Sequence, residues 1–195
     1  MAVSAIAVSM RARPRFGNRK LLVLVMILLV VLGGTGAWII AFQPFTVAPI
    51  TQPWQSFCDP GLNISTQYPT GWLKQVEQHK AVHFSDSNYG EQFSVSTVAN
   101  SGEDPGKYLQ KTATQLAMTS LQTDTPLTFA GTSWQQIQGS VVLNGANYTE
   151  VLLATTHNGI LVTITQLAHQ SIYATVESTI FSYMRSSFQF SATCS

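Results

Sequence analysis

Four histidines, nine acids, two cysteines and many serines are the residues of this 195-residue chain with chemical potential. His79 and His83 lie four apart, a spacing that suits two metal ligands on a helix. Here they straddle a turn and a strand, where residues four apart stand about 13 Å from each other. No cysteine joins them, so both are expected at the polar surface and no metal is implied. A Ser-His-Asp triad is assembled in space, so a serine beside His83, His157 or His169 keeps a hydrolase open. No Gly-x-Ser-x-Gly elbow supports that reading. Asp86, Glu91, Glu103 and Asp104 form a loose acidic group without the EF-hand calcium spacing. Glu103-Asp104 better suits the start of a helix. Gly131 and Gly139 stand alone and make no phosphate loop. Asn63-Ile64-Ser65 and Asn147-Tyr148-Thr149 fit the glycosylation acceptor pattern, which is short enough to arise by chance. Trp72, Trp134, Tyr148 and Tyr173 are expected as packing between sheet and helices, with a sugar or peptide cleft as the alternative. No cofactor is implied, and no motif names a reaction.

Cys58 and Cys194 fall at the two ends of the globular part. Domain termini often lie close together, so a bond between them is the preferred reading. Two free thiols, or pairing with another chain, are the alternatives. The bond would close a loop of about 137 residues, worth roughly 5 kcal/mol in the chain-entropy model.

The elements that must position these groups follow from periodicity. Leu62–Tyr68 alternates apolar and polar, Trp72–Val76 and Val82–Asp86 are short strand-like pieces, and Phe93–Val98 is a clear strand. Asp104 followed by Pro105 reads as an N-cap and first helical residue. Leu109, Ala113, Leu116 and Ala117 make that helix's apolar stripe, which runs to about Ser120. Trp134–Leu143, Tyr148–Thr156 and Ile160–Ala168 are strands of an antiparallel meander, joined at Asn144-Gly145 and Asn158-Gly159, because Asn-Gly is a strong hairpin signal. The third is apolar on both faces. A last helix spans about Ser171 to Arg185, with Ile172, Val176, Ile180 and Met184 four apart. Strands, helix, meander, helix is an α+β order, with helices packed on a mainly antiparallel sheet.

Before this domain lies Leu21 to Phe42, 22 uncharged residues that as a helix reach about 33 Å, enough for a bilayer core. Arg11, Arg13, Arg15, Arg19 and Lys20 precede it, whereas from Gln43 onward five bases face nine acids. The positive-inside rule then keeps residues 1–20 in the cytoplasm and places the domain outside, single-pass, at the cell membrane. A tail so short is expected to carry no output domain, so any signal would pass through a partner. Secretion after signal-peptide cleavage is the alternative. The apolar character that resumes at Ala37–Phe42 favours retention. Residues 43–60, with four prolines, read as an extended stalk. The acidic domain has no basic stripe, so no nucleic-acid partner is expected.

Tyr68-Pro69-Thr70-Gly71-Trp72 resembles the opening of the PsbP-like (Mog/PsbP) α/β/α sandwich, a strand ending in an aromatic followed by Pro-x-Gly-Trp. The Asp104-Pro105 helix, the Asn158-Gly159 turn and the closing Ser186-Ser187-Phe188 are similar to the same family over residues 62–190. The resemblance implies an α+β sandwich of the membrane-anchored bacterial type, occupied with binding and accessory work on an unknown protein or small ligand. A hydrolase with a Ser/His site and a structural envelope component are the two competing expectations.

Overall fold

The computed structural model describes residues 53–78, 80–99, 102–190 and 194. All belong to the second of two compact units of the chain, Phe45–Ser195. The apolar run 21–42, the basic tail and His79 lie outside the described residues. Among those described, no helix is long and apolar enough to cross a membrane.

The described residues form eleven strands in chain order: β1 (Trp54–Asp59), β2 (Ile64–Pro69), β3 (Leu73–Glu77), β4 (Ala81–Ser85), β5 (Gln92–Ala99), β6 (Thr119–Thr123), β7 (Leu127–Phe129), β8 (Thr132–Leu143), β9 (Ala146–His157), β10 (Ile160–His169) and β11 (Gln189–Phe190). Helix α1 (Pro105–Gln115) precedes β6. A C-terminal helix follows β10 as α2 (Tyr173–Val176), a π turn (Glu177–Phe181) and α3 (Ser182–Ser187). The large sheet runs β3-β4-β5-β10-β9-β8-β6 with β7 against β8, and a small sheet runs β1-β2-β11. Every strand pair is antiparallel.

The meander follows from its turns. Asn144 and Gly145 have φ of 52° and 80°, and Asn158 and Gly159 have 49° and 76°. Two successive positive φ values make the tight turn whose twist matches paired strands, and Asn-Gly tolerates them best. Ala130-Gly131 makes a third such turn, at φ 52° and 72°, and adds β7. Alanine carries a Cβ into the left-handed region at about 1–2 kcal/mol, so β7 had no Asn-Gly signal.

Asp104 caps α1 as expected, its Oδ1 accepting from Lys107 N at 3.0 Å. The helix stops at Gln115, five residues short of Ser120. Ala117 turns left-handed at φ 52°, Met118 N donates to Ala113 O at 3.0 Å, and the chain leaves as β6. All five β6 residues are exposed, so no apolar alternation betrayed that strand. Trp54–Asp59, read from the sequence as the end of an extended stalk, is instead a strand paired with β2. Prolines flank that strand rather than interrupt it.

The C-terminal helix differs from expectation inside. Ile172, Val176, Ile180 and Met184 are all buried. Residues four apart drift about 40° per step on a regular α-helix, so four in a row need a slower advance. The π turn, closed by wider i→i+5 bonds, supplies it.

Two apolar layers sandwich the large sheet. Phe84, Phe93, Val95, Trp134, Leu153 and Ile164 face the C-terminal helix and the small sheet. Ile137, Val141, Leu152, Ala154, Leu161 and Leu167 face Leu109 and Ala113 of α1. Alternation along β10 divides between both layers, so that strand is buried on both faces.

Candidate functional site

Strand β9 carries a glutamate on an otherwise apolar face. Tyr148, Glu150, Leu152 and Ala154 alternate toward α1. The register sets Glu150 opposite Gly139 of β8 on one side and Leu167 of β10 on the other. Glu150 is only 7% exposed. Among the described residues its carboxyl has no hydrogen-bond or ion-pair partner, and burial pushes its pKa above the ordinary carboxylate range.

This carboxyl lines a cavity of about 370 Å³ with Leu116, Thr119, Val141, Leu143 and Leu167 among the walls. Its shape has a local cause. A Cβ on Gly139 would lie 2.9 Å from Leu121 Cδ2, 3.0 Å from Met118 Cε and 3.0 Å from Thr119 O. The missing side chain lets the turn after α1 and the start of β6 close over β8. A register shift between Thr119 and Gln122 interrupts the β6–β8 pairing there. The helix end, the irregular edge strand and the meander thus border a partly open, mainly apolar space with one acid in its wall.

A second polar group sits on the opposite face. Arg185 Nη1 donates to Gln166 Oε1 and to Glu177 Oε2, each at 3.0 Å, and Nη2 pairs with Glu177 Oε1. Eight residues separate Glu177 from Arg185, about 80° out of phase on a regular helix; the residue inserted by the π turn brings them to one side. Tyr173 donates to Glu177 Oε2 at 3.4 Å. Burial, then the Glu177 charge, pushes the Tyr173 phenol well above its ordinary range. Gln166 Nε2 is buried without a partner.

The histidines separate. His83 on β4 places Nδ1 2.9 Å from Ser94 Oγ on β5 and Nε2 3.5 Å from Glu77 Oε1 on β3. The row has the composition of a triad, but the His83 and Glu77 side chains are 40% and 56% exposed on an open sheet surface. Strand amides around it are engaged in the ladder, leaving no preorganised pair of donors for an oxyanion. His157 stacks on Phe190 at 3.8 Å between ring centroids. His169 meets Ser171 Oγ at 2.8 Å and the edge of Tyr148.

The acidic group does not assemble either. Asp86 Oδ1 accepts from Asn88 N and Tyr89 N, and Asp104 caps α1. Glu91 is buried with Oε2 unpartnered, and burial, with Asp86 nearby, raises its pKa. Of the two acceptor asparagines, Asn63 has a buried Oδ1, whereas Asn147 is exposed. Trp72 and Trp134 are core residues; Tyr148 and Tyr173 pack at its margin. Tyr68 packs at a tilt on Phe84, ring centroids 4.7 Å apart, and Trp72 N donates to Pro69 O across a turn completed by Gly71 at φ 93°. Cys58 and Cys194 are bonded, with Cα atoms 5.6 Å apart, tying β1 to the chain beyond β11. Glu150 and the Arg185 network were not singled out from the sequence. The signal for the first was one acid on the inward side of the Tyr148–Thr156 alternation.

The solution structure of cyanobacterial PsbP (CyanoP) from Synechocystis superposes with a TM-score of 0.52 at 17% identity, covering 75% of this chain and 99% of that one. The domain has a PsbP-like fold. LpqN of Mycobacterium tuberculosis, described as involved in cell envelope biogenesis, aligns more loosely, with a TM-score of 0.46, 17% identity, and 71% and 86% coverage. No protein-family model and no curated protein matches the sequence. In this PsbP-like fold the turn Tyr68–Trp72 follows β2 of the small sheet, and its Tyr68 and Trp72 side chains belong to the core layer on the opposite face of the large sheet from the cavity.

Proposed function

We propose that this is a single-pass membrane protein of the anchored bacterial type, with an extracytoplasmic PsbP-like domain that binds a small ligand and catalyses no reaction. The observation that carries the binding role is the 370 Å³ cavity with the unpartnered Glu150 carboxyl in an apolar wall. Pockets of this size with one placed polar group orient small molecules. The anchor and orientation rest on the uncharged run 21–42 and the five bases before it. The disulfide suits an oxidising compartment.

Carbonate extraction and protease digestion of intact cells expressing the full chain test the topology. The chain should pellet with membranes, and external protease should remove the domain while leaving the tail. Recovery of the whole protein in the cytosol would sink the reading. Release of the domain into the medium would replace the anchor by secretion.

One observation supports a second reading, a hydrolase: the 2.9 Å bond between His83 and Ser94, with Glu77 beyond. A fluorophosphonate probe should leave the protein unlabelled under the binding reading. Labelling that disappears in Ser94→Ala would establish the hydrolase instead.

A further inference from the structure

The cavity walls constrain the chemistry of whatever fills them. No Lys, Arg or His lines it; Glu150 is its one ionisable side chain. A carboxylate largely withdrawn from water costs free energy unless a partner compensates it, and Glu150, 7% exposed, has none among the described residues. An anionic occupant would add repulsion, and a neutral one would leave an ionised carboxylate without a counter-charge. A cation meets both the charge and the hydrogen-bonding capacity of the group, in the charge-assisted geometry that makes such bonds strong. The rest of the wall, Leu116, Val141, Leu143 and Leu167 above all, favours an apolar body. Beyond residue 42, five bases against nine acids give the domain a negative field that draws cations toward it.

We propose, resting on the binding reading above, that the cavity takes a small organic monocation with an apolar body, its ammonium group paired with Glu150. At about 30 Å³ per water-sized group, 370 Å³ accommodates roughly ten non-hydrogen atoms. That is the size of an alkylammonium ion of intermediate chain length. The mouth lies between the end of α1 and the β8–β9 turn, where Leu116, Val142 and Leu143 are exposed. The apolar tail would leave or enter there.

The probes are octylammonium, 1-octanol and octanoate, titrated calorimetrically into the full chain in lipid nanodiscs, with empty discs subtracted. Octylammonium should bind saturably, about tenfold or more tighter than 1-octanol, and octanoate should not bind. Glu150→Gln should weaken octylammonium about tenfold and leave 1-octanol within about twofold. Equal binding of octylammonium and 1-octanol, unchanged in Glu150→Gln, overturns the cation while leaving a small-molecule site. Saturable binding of none of the three overturns the cation and the small-molecule site together. Leu116→Trp, at an exposed position of the mouth, should abolish octylammonium binding. Retention there places the ion elsewhere and overturns the proposal even if Glu150→Gln proves unfolded.

Discussion

The two faces of the large sheet are covered in different ways. One carries a fifteen-residue C-terminal helix and a three-stranded sheet, and it buries Trp134, Phe84, Phe93, Phe181 and Phe188 almost completely. The other carries the eleven residues of α1, which bury only Leu109 and Ala113 from that helix. The first face is filled by aromatic packing: Trp134 stacks on Phe129 at 4.6 Å and meets Phe188 edge-on at 5.7 Å. The second is left with a cavity beyond the helix end. Covering a wide sheet with one short helix leaves an apolar margin, and that margin is where a ligand can be accommodated without disturbing the main core. The tightest aromatic packing and the cavity of the proposed binding role therefore lie on opposite sides of the same strands.

That division is breakable by mutation. The largest effect is expected from Trp134→Ala, which empties the centre of the aromatic layer and should cost about 3–5 kcal/mol, read as a lower urea midpoint of the full chain. A loss below about 1 kcal/mol would mean the aromatic face is not the stabilising one. Replacing Cys58 and Cys194 by alanine releases the small sheet's ends and should cost about 2–5 kcal/mol, with the cavity unchanged. Comparing octylammonium binding before and after that replacement tests whether the faces are independent.

Gly139→Ala acts on the other face. The new methyl meets Met118, Leu121 and the Thr119 carbonyl, so β6 must shift, at about 1–3 kcal/mol. Because that shift reshapes the cavity, binding should suffer more than the melting temperature does.

The smallest effect is a pH dependence at Glu150. Burial raises its folded-state pKa above 4.5. Below the unfolded value both states hold the proton and no penalty arises. Above it the unfolded chain releases its proton first, so this residue's contribution falls as pH rises, until the folded carboxyl ionises too. Glu150→Gln should therefore melt higher than the wild type at pH 8 and at the same temperature near pH 4. An identical difference at both pH values would show that the carboxyl is not desolvated in the fold.

Much of the architecture was legible because its determinants are local. The Asn-Gly turns fixed two hairpins by backbone conformation alone, and Asp104-Pro105 fixed the start of α1. The two-sided apolar run of β10 announced a strand covered on both faces. The misses are equally physical. β6 is wholly exposed, so nothing in its residue pattern separates it from a loop, and β7 turns through an alanine that carries no turn signal. β1 reads as stalk because its partner, β2, is what makes it a strand. The π turn had a trace in the four-residue spacing of Ile172, Val176, Ile180 and Met184, which a regular helix does not keep on one side.

The candidate site was less legible. Glu150 interrupts an apolar alternation, which marks it as unusual, but a single acid on a strand is as often at a sheet margin as in a cavity. His83 and Ser94 lie eleven residues apart, and only the β4–β5 register brings them within 2.9 Å. The sequence by itself determined the charge asymmetry about the apolar run, the antiparallel meander, the capped start of α1 and the sheet's two buried faces, since each depends on neighbours a few residues away. The two cysteines at the ends of the domain already favoured the Cys58–Cys194 bond, but tertiary structure alone decided that Arg185 finds Gln166 and that α1 ends early enough to leave Glu150 beside a cavity. Those outcomes depend on register, helix length and close approach between segments far apart in the chain, and no local pattern encodes them.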